Sequence, residues 1–233
     1  MDTAAVTLVT GGSSGIGAAV AQRLLDRDHR VTVTGRDPDK LRRFAERAGH
    51  PDALLTIAGD AADLDAVRSA VESTVKEFGR LDAVVACAGY ATHDALDDGD
   101  PAGWRDMVLT NVLGPALLIN TALPALKATR GRIVLIGSVA GYVYLAGNIY
   151  GATKFAVAAM AENTRLMVAP DGVGVTLVAP GRVDTNFWET AGGAPEGGIL
   201  TADQVADSIV WALDQPAGVD VNTVVVRPTG AAV

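Results

Sequence analysis

A short apolar run, AAVTLVT from Ala4 to Thr10, stops at the glycine cluster GGSSGIG, Gly11 to Gly17, and continues as an amphipathic pattern to about Arg27. A strand-forming run, a glycine turn and a helix in direct succession make the first half of a βαβ unit. Glycines at such a turn let the backbone approach a pyrophosphate closely, and the free N–H groups at the helix start favour an anion. Gly11, Ser13, Ser14, Gly15, Ile16 and Gly17 are therefore the candidate phosphate cradle. A plain turn is the other reading of the same glycines, and the position between strand and helix argues for the cradle.

The alternation goes on to the end of the chain. Strand patterns cover Arg30 to Thr34, Ala53 to Ala58, Leu81 to Cys87, Arg132 to Ile136, Val173 to Ala179 and Thr223 to Arg227. Helical patterns cover Pro38 to Ala48, Leu64 to Phe78, Pro101 to Lys127, a segment carrying Tyr150 and Lys154, and Ala202 to Leu213. This order predicts an α/β fold, a doubly wound sheet of about seven parallel strands with helices on both faces. No linker, repeat or low-complexity tract divides the 233 residues, so one domain over residues 1–233 is expected. Hydrophobic residues at 49% suffice for a sizeable core.

Composition excludes several functions. Lys plus Arg number 19 against 27 Asp plus Glu, a net charge of −8, which speaks against a general nucleic-acid binder or a partner of anionic membranes. There is no basic n-region followed by a long apolar h-region, and no run is expected to approach a membrane span. Cys87 is the one cysteine, which excludes an internal disulfide, and the scattered His29, His50 and His93 suggest no metal cluster. A cytoplasmic protein is expected.

The chemistry concentrates in GRIVLIGSVAGYVYLAGNIYGATK, Gly131 to Lys154. A buried strand releases Ser138 at its carboxyl end, and a following helix carries Tyr150 and Lys154 four residues apart, on one face. A phenol has a reference pKa of about 10 and needs help to act as acid or base near neutrality. An adjacent ammonium gives that help by favouring the phenolate, and Ser138 could hydrogen-bond the same reacting oxygen. The Tyr-Lys pair alone could be an ordinary helical pair; its setting between an upstream serine and a phosphate signature raises it above that.

Other candidates sit at the carboxyl ends of the expected strands, where open α/β sheets bind ligands. The second strand ends at Gly35 and Arg36, where an NAD site would place an acid. Arg36 can pair with a 2′-phosphate, so NADP(H) is preferred over NAD(H), with a solvated loop charge as the alternative. Asp37 before Pro38 reads as a helix N-cap, which gives that acid a structural job. Asp60 could accept from an adenine amino group, or it or Asp63 could cap the next helix. Ala88-Gly89 is a second small-residue turn. Asn111 lies in the apolar VLTNVLGPALLIN, where Pro115 removes the donor its carbonyl would meet, so the helix should bend there. Asn111 is read equally as structural or catalytic. Residues 186–200, with FWETAGGAPEGGIL from Phe187 to Leu200, suggest a short lid or a surface loop. Tyr90, Tyr142, Tyr144, Phe187 and Trp188 line a substrate cleft or serve packing.

With TGGSSGIG at 10–17, Ala88-Gly89, Asn111, Ser138, YGATK at 150–154 and PGRVDT at 180–185 in this order, nearly the whole chain resembles the short-chain dehydrogenase/reductase family. The resemblance implies a Rossmann-fold oxidoreductase in which Tyr150 is the acid/base, Lys154 lowers its pKa and holds the nicotinamide ribose, and Ser138 orients the substrate oxygen. Asn111 would anchor a water that relays protons through Lys154. Gly11, Gly15 and Gly17 would shape the pyrophosphate turn, Asp60 meet adenine, and Val183 and Thr185 touch the carboxamide within the segment that begins at Pro180 and Gly181. Cys87 stands where the family usually has Asn, so altered local hydrogen bonding is expected. The implied activity is NADP(H)-linked hydride transfer to a ketone or aldehyde, or from a secondary alcohol, in a homotetramer paired through the long helices. Open alternatives are an NAD-linked alcohol dehydrogenase, a dehydratase or epimerase of the same fold, and a non-catalytic NADP(H)-binding sensor.

Overall fold

A computed structural model describes residues 4–49, 52–194 and 196–230. His50, Pro195 of the expected lid and the last three residues lie outside the described residues. In chain order the elements are β1 Val6–Thr10, α1 Gly15–Leu25, β2 Arg30–Gly35, α2 Pro38–Ala48, β3 Leu54–Ala58, α3 Leu64–Phe78, β4 Ala83–Ala86, α4 Pro101–Val108, α5 Gly114–Thr129, β5 Arg132–Ile136, α6 Ile149–Val168, β6 Gly174–Pro180, β7 Val183–Asp184, β8 Leu200–Thr201, α7 Ala202–Leu213 and β9 Thr223–Val226. Seven strands form one sheet in the order β3-β2-β1-β4-β5-β6-β9, every neighbour parallel. The doubly wound α/β expectation is met. The order reverses between β1 and β4, and there the connections leave in opposite directions and open a crevice.

Side chains on each strand alternate between two cores. Leu8, Val84, Ile133 and Leu135 face α3, α5 and α6 through Val67, Leu118, Leu126 and Val157. Val9, Val33, Val85 and Val134 face α1, α2 and α7 through Val20, Leu24, Phe44 and Ile209. Burial on both faces is why the strands read as continuous apolar runs. The one polar pair inside the β2–α3 layer is satisfied: Thr74 Oγ1 donates to Thr32 Oγ1 at 2.9 Å.

Helix ends are written in capping side chains. Asp37 accepts from Asp39 N and Lys40 N, Asp63 accepts from Ala66 N, and Thr201 with Gln204 forms a reciprocal capping box. Between α4 and α5 the chain makes a π turn over Leu109–Leu113, with Gly114 N donating to Leu109 O. The bend expected from Pro115 thus takes the form of a widened turn, which absorbs the missing donor without breaking the helical run.

One expectation needs correction. The run Pro101–Thr129 is long and apolar enough to cross a membrane by length and composition. No run is expected to approach a membrane span, yet between Arg105–Asp106 and Lys127 the stretch carries no charge. In the fold it buries Met107, Leu118, Ile119, Ala122 and Leu126 within the protein.

Leu135 is fully buried on β5 between β4 and β6. Leu135→Ala should destabilise the protein by about 2–5 kcal/mol in equilibrium urea unfolding, whereas Val219→Ala, exposed in the loop before β9, should stay within about 0.5 kcal/mol of the parent.

Candidate active site

Where β1 gives way to α1 the backbone is packed without room for side chains. Gly11 is left-handed at φ +65, and a Cβ on it would lie 2.9 Å from Ala88 Cα. A Cβ on Gly17 would lie 2.4 Å from the Gly11 carbonyl oxygen. The turn, the first helical residues and the end of β4 therefore touch main chain to main chain, and Thr10 Oγ1 accepts from Ala88 N at 3.3 Å. The Gly12 amide is taken by Thr34 O at 3.1 Å, and the turn leads directly into the start of α1.

A cleft of about 350 Å³ opens at this point. Gly11, Ser13, Ser14, Gly15, Ile16 and Gly17 form its floor, Arg36 and Asp60 one end, and Ala88, Gly89 and Thr185 the other. Asp60 accepts from Ala62 N at 2.9 Å, and it is Asp63 that caps α3. Asp37 is turned into its own helix cap, as expected. Two features escaped the sequence reading. Lys40 enters the cleft from the first turn of α2, beside Arg36, and Cys87 forms part of the wall. The tip of β2 is so close to the cradle that a Cβ on Gly35 would sit 2.9 Å from Ser13 Oγ. Lys40 could have been found from its place three residues after the Asp37 cap.

Pro180, Gly181 and Val183 are not among the cleft-lining residues. Pro180 ends β6, Gly181 N donates to Val226 O at 2.7 Å, and the Val183 side chain is buried in the core shared with α7. The Val183 carbonyl accepts from Trp188 Nε1 at 2.9 Å.

Ser138, Tyr150, Lys154 and Asn111 converge next to Cys87, Ala88 and Gly89. The 3₁₀ turn Val139–Gly141 begins at Ser138, whose Oγ accepts from Ala140 N at 3.1 Å. That turn lies directly on α6, since a Cβ on Gly141 would be 2.8 Å from Lys154 O, and this packing carries Ser138 to Tyr150. Lys154 is buried and donates from Nζ to Ile136 O at 2.8 Å, with Nζ 5.7 Å from the centre of the Tyr150 ring. Asn111 Nδ2 donates to Tyr90 O at 2.9 Å and to Thr153 Oγ1 at 3.1 Å, and its Oδ1 accepts from Tyr90 N at 3.0 Å. The amide thus clasps the loop after β4 to α6, and a Cβ on Gly89 would be 3.1 Å from Asn111 Oδ1 and 3.8 Å from Lys154 Nζ.

Burial governs the ionisation of this cluster. It pushes the Tyr150 phenol up to about 12, partly opposed by the Ser138 hydroxyl. It lowers the Lys154 ammonium to about 8, with Cys87 acting in the opposite sense, and raises the Cys87 thiol to about 12. The expected lowering of Tyr150 is not a property of the protein alone: desolvation of the phenolate dominates, and the opposing influence is the Ser138 hydroxyl. Cys87 is correspondingly a closed-shell wall residue, not a nucleophile.

Over Tyr150 lies the segment expected as a lid. Its first part is a 3₁₀ turn, Asn186–Ala191, capped by Thr185, and β7 pairs with β8 to hold its two ends together. Phe187 meets the Tyr150 ring edge-on at 5.6 Å and Trp188 meets Phe187 at 5.1 Å. Tyr144 instead stacks on Phe155 at 5.1 Å and is exposed, so it serves packing at the rim. Among the described residues there is no group of three or more His, Cys, Asp or Glu able to hold a metal ion.

The family model for short chain dehydrogenases matches residues 5–194. The chain belongs to that family. A short-chain dehydrogenase of this length also has relatives along its full extent: an uncharacterized oxidoreductase of Staphylococcus saprophyticus is 36% identical over 228 residues, covering 96% of this chain and 97% of the relative. One from Staphylococcus epidermidis is 33% identical over 225 residues, covering 96% of each. Among solved structures, the alcohol dehydrogenase of the archaeon Thermococcus sibiricus complexed with 5-hydroxy-NADP superposes with a TM-score of 0.89 at 26% identity, covering 97% of both chains. ElxO with NADP bound gives 0.88 at 26% identity, covering 97% of this chain and 98% of that one.

The packing at Gly17 makes a sharp test. Gly17→Ala should weaken NADPH binding at least about tenfold in calorimetric titration, because the new Cβ must displace the Gly11 carbonyl and the cradle with it.

Proposed function

We propose that this short-chain dehydrogenase is an NADP(H)-dependent carbonyl reductase, running in reverse as an alcohol dehydrogenase on ketones, aldehydes and secondary alcohols. The observation that carries the reading is the convergence of Ser138, Tyr150 and Lys154 at the inner end of a glycine-floored cleft. The cleft suits a dinucleotide: the cradle excludes side chains where a diphosphate would lie, and the α1 N-terminus, which favours an anion, borders it. Gly11, Ser13, Ser14, Gly15, Ile16 and Gly17 would hold the diphosphate, Asp60 the adenine, and Thr185 the carboxamide. Val183, with Pro180 and Gly181, would shape the backbone beneath that last contact.

The preference for NADP(H) over NAD(H) rests on Arg36 and Lys40, which line the cleft with Asp37, while one oxygen of the Asp37 carboxylate, Oδ1, is held by two amides of α2. The Thermococcus sibiricus enzyme is complexed with 5-hydroxy-NADP and ElxO has NADP bound, in keeping with this preference.

When bound, the cofactor supplies the hydride. The protein manages the proton. Ser138 orients the substrate oxygen, Tyr150 gives it a proton in reduction and takes one in oxidation, and Lys154 steadies the nicotinamide ribose while its ammonium favours the phenolate. Asn111 positions the loop after β4 through its side chain, and its main-chain carbonyl, freed by Pro115, would anchor the water that returns protons through Lys154. A cytoplasmic location and a homotetramer complete the reading. Exposed Val108 and Leu113 near α5, with Leu166 and Met167 on α6, support pairing of the long helices; a single-chain mass in light scattering would refute it.

The deciding experiment compares NADPH and NADH with a panel of ketones, aldehydes and diketones. Turnover is expected with NADPH and should fall about 10²–10⁴-fold in Tyr150→Phe. Arg36→Asp should lower NADPH use at least about tenfold relative to NADH. Tight NADPH binding without turnover on any substrate would move the reading to a sensor.

The raised phenol also fixes the sign of the pH response. With Tyr150 near 12, its acid form is fully loaded at neutrality, so reduction should be level up to about pH 7 and decline through about pH 8, where Lys154 is half deprotonated. Oxidation needs the scarce phenolate and should gain up to about tenfold per pH unit from neutrality upward. Initial rates in both directions across one buffer series check this.

A further inference from the structure

Three loops surround the mouth above Tyr150, and they are tied to each other. The loop after β4 bonds to the loop before α6 through Leu96 N and Gly147 O at 3.0 Å. It meets the lid through His93, whose Nε2 lies 3.0 Å from Phe187 O. The imidazole is also edge-on to the Phe187 ring at 4.9 Å and tilted over the Trp188 ring at 5.3 Å. We infer that His93 is a positioning residue that sets the size of carbonyl substituent the site accepts, by pinning Phe187 against Tyr150. The inference rests on the carbonyl-reductase reading for its substrate, and on geometry alone for the pin.

His93 holds a left-handed backbone at φ 62, a conformation disfavoured for a residue with a Cβ. Such a conformation persists where the surroundings over-determine it, and here they do. Asp94 accepts from Thr92 Oγ1, from Trp104 Nε1 at 3.0 Å and from Asp100 N at 3.1 Å, which fixes the chain on both sides of His93. The lid end is equally fixed: Thr185 Oγ1 accepts from Phe187 N at 3.3 Å, and the indole of Trp188 is bonded to Val183 O. A rigid anchor joined to a rigid flap by one imidazole transmits position; a loose one at either end would not.

Phe187 stands at the junction of the two halves of the site. It lines the cofactor cleft and meets Tyr150 edge-on at 5.6 Å. A carbonyl carbon brought to Tyr150 must place one of its two substituents against this ring. A methyl group or hydrogen fits beneath it, whereas a longer chain has to lift Phe187 and break the His93 contact. The site therefore favours aldehydes and methyl ketones over ketones with two extended arms.

His93→Asn tests this, because Asn tolerates the left-handed backbone while removing the ring and its reach. Acetophenone and butyrophenone are compared with NADPH, and deuterium uptake is followed over residues 187–193. The expected result is about a tenfold rise in the ratio of kcat/KM for butyrophenone over acetophenone, carried by KM, with uptake in the lid faster by about tenfold and NADPH affinity unchanged. An unchanged ratio overturns the selectivity role even if exchange quickens, and unchanged exchange overturns the pin. A parent enzyme inactive on every ketone overturns the carbonyl reading and the substrate claim with it, while the exchange measurement still decides the pin.

Discussion

Main chain resting on main chain at Gly11, Gly17 and Ala88 is the constraint on which the rest of this structure depends. It exists because β1 and β4 are neighbours at the point where the strand order reverses. No side chain fits between the three segments, so the glycine turn, the start of α1 and the end of β4 share one position in space. Everything chemical is then reached from that point. The loop after β4 runs directly to Tyr90, Asn111 grips it there, and Asn111 in turn is bonded to α6 one residue from Lys154. The distance from the glycine turn to the Tyr150 helix is set by backbone and by the buried Asn111 amide with its Thr153 partner.

The inner end of the site is a dry pocket holding three groups that all resist charge. Tyr150 and Cys87 are held protonated and Lys154 is drawn towards neutrality, each by desolvation. The usual picture of a lysine that simply acidifies a tyrosine is incomplete for this chain. The protein builds an environment in which added positive charge has a large effect, since little water screens it.

Much of this was legible in the sequence because it is written locally. Helices α2, α3 and α7 begin where Asp37, Asp63 and Thr201 say they do, as each cap acts within three residues of itself. The β5 strand, the glycine cradle and the Tyr150–Lys154 pair follow from short-range pattern. What could not be read depends on distance in the chain. His93 and Phe187 are 94 residues apart, and no spacing rule joins them. The raised Tyr150 phenol follows from how thoroughly α6, the Ser138 turn and the lid exclude water, which a reference pKa cannot anticipate. Lys40 drew no reading of its own: the Asp37 cap places it in the first turn of α2, but that this turn borders the cradle depends on the pairing of β1 with β2. The π turn was foreseen as a bend from Pro115, but its form was settled by packing.

That π turn has a consequence for how this protein can change over generations. A π turn holds one residue more than the α-helix would, so the register of α5 relative to α4 includes a rotation of about 100° that a regular helix would lack. Removing one residue between 109 and 113 would restore regular helix and swing Leu118, Ala122 and Leu126 away from the sheet while shifting Asn111 off the loop it clasps. Insertions and deletions are ordinarily absorbed by loops, but here a helix interior has its residue count locked by both the core and the site. The spacing between Asn111 and the α5 core should then drift far less across related chains than the lengths of the loops around the substrate mouth.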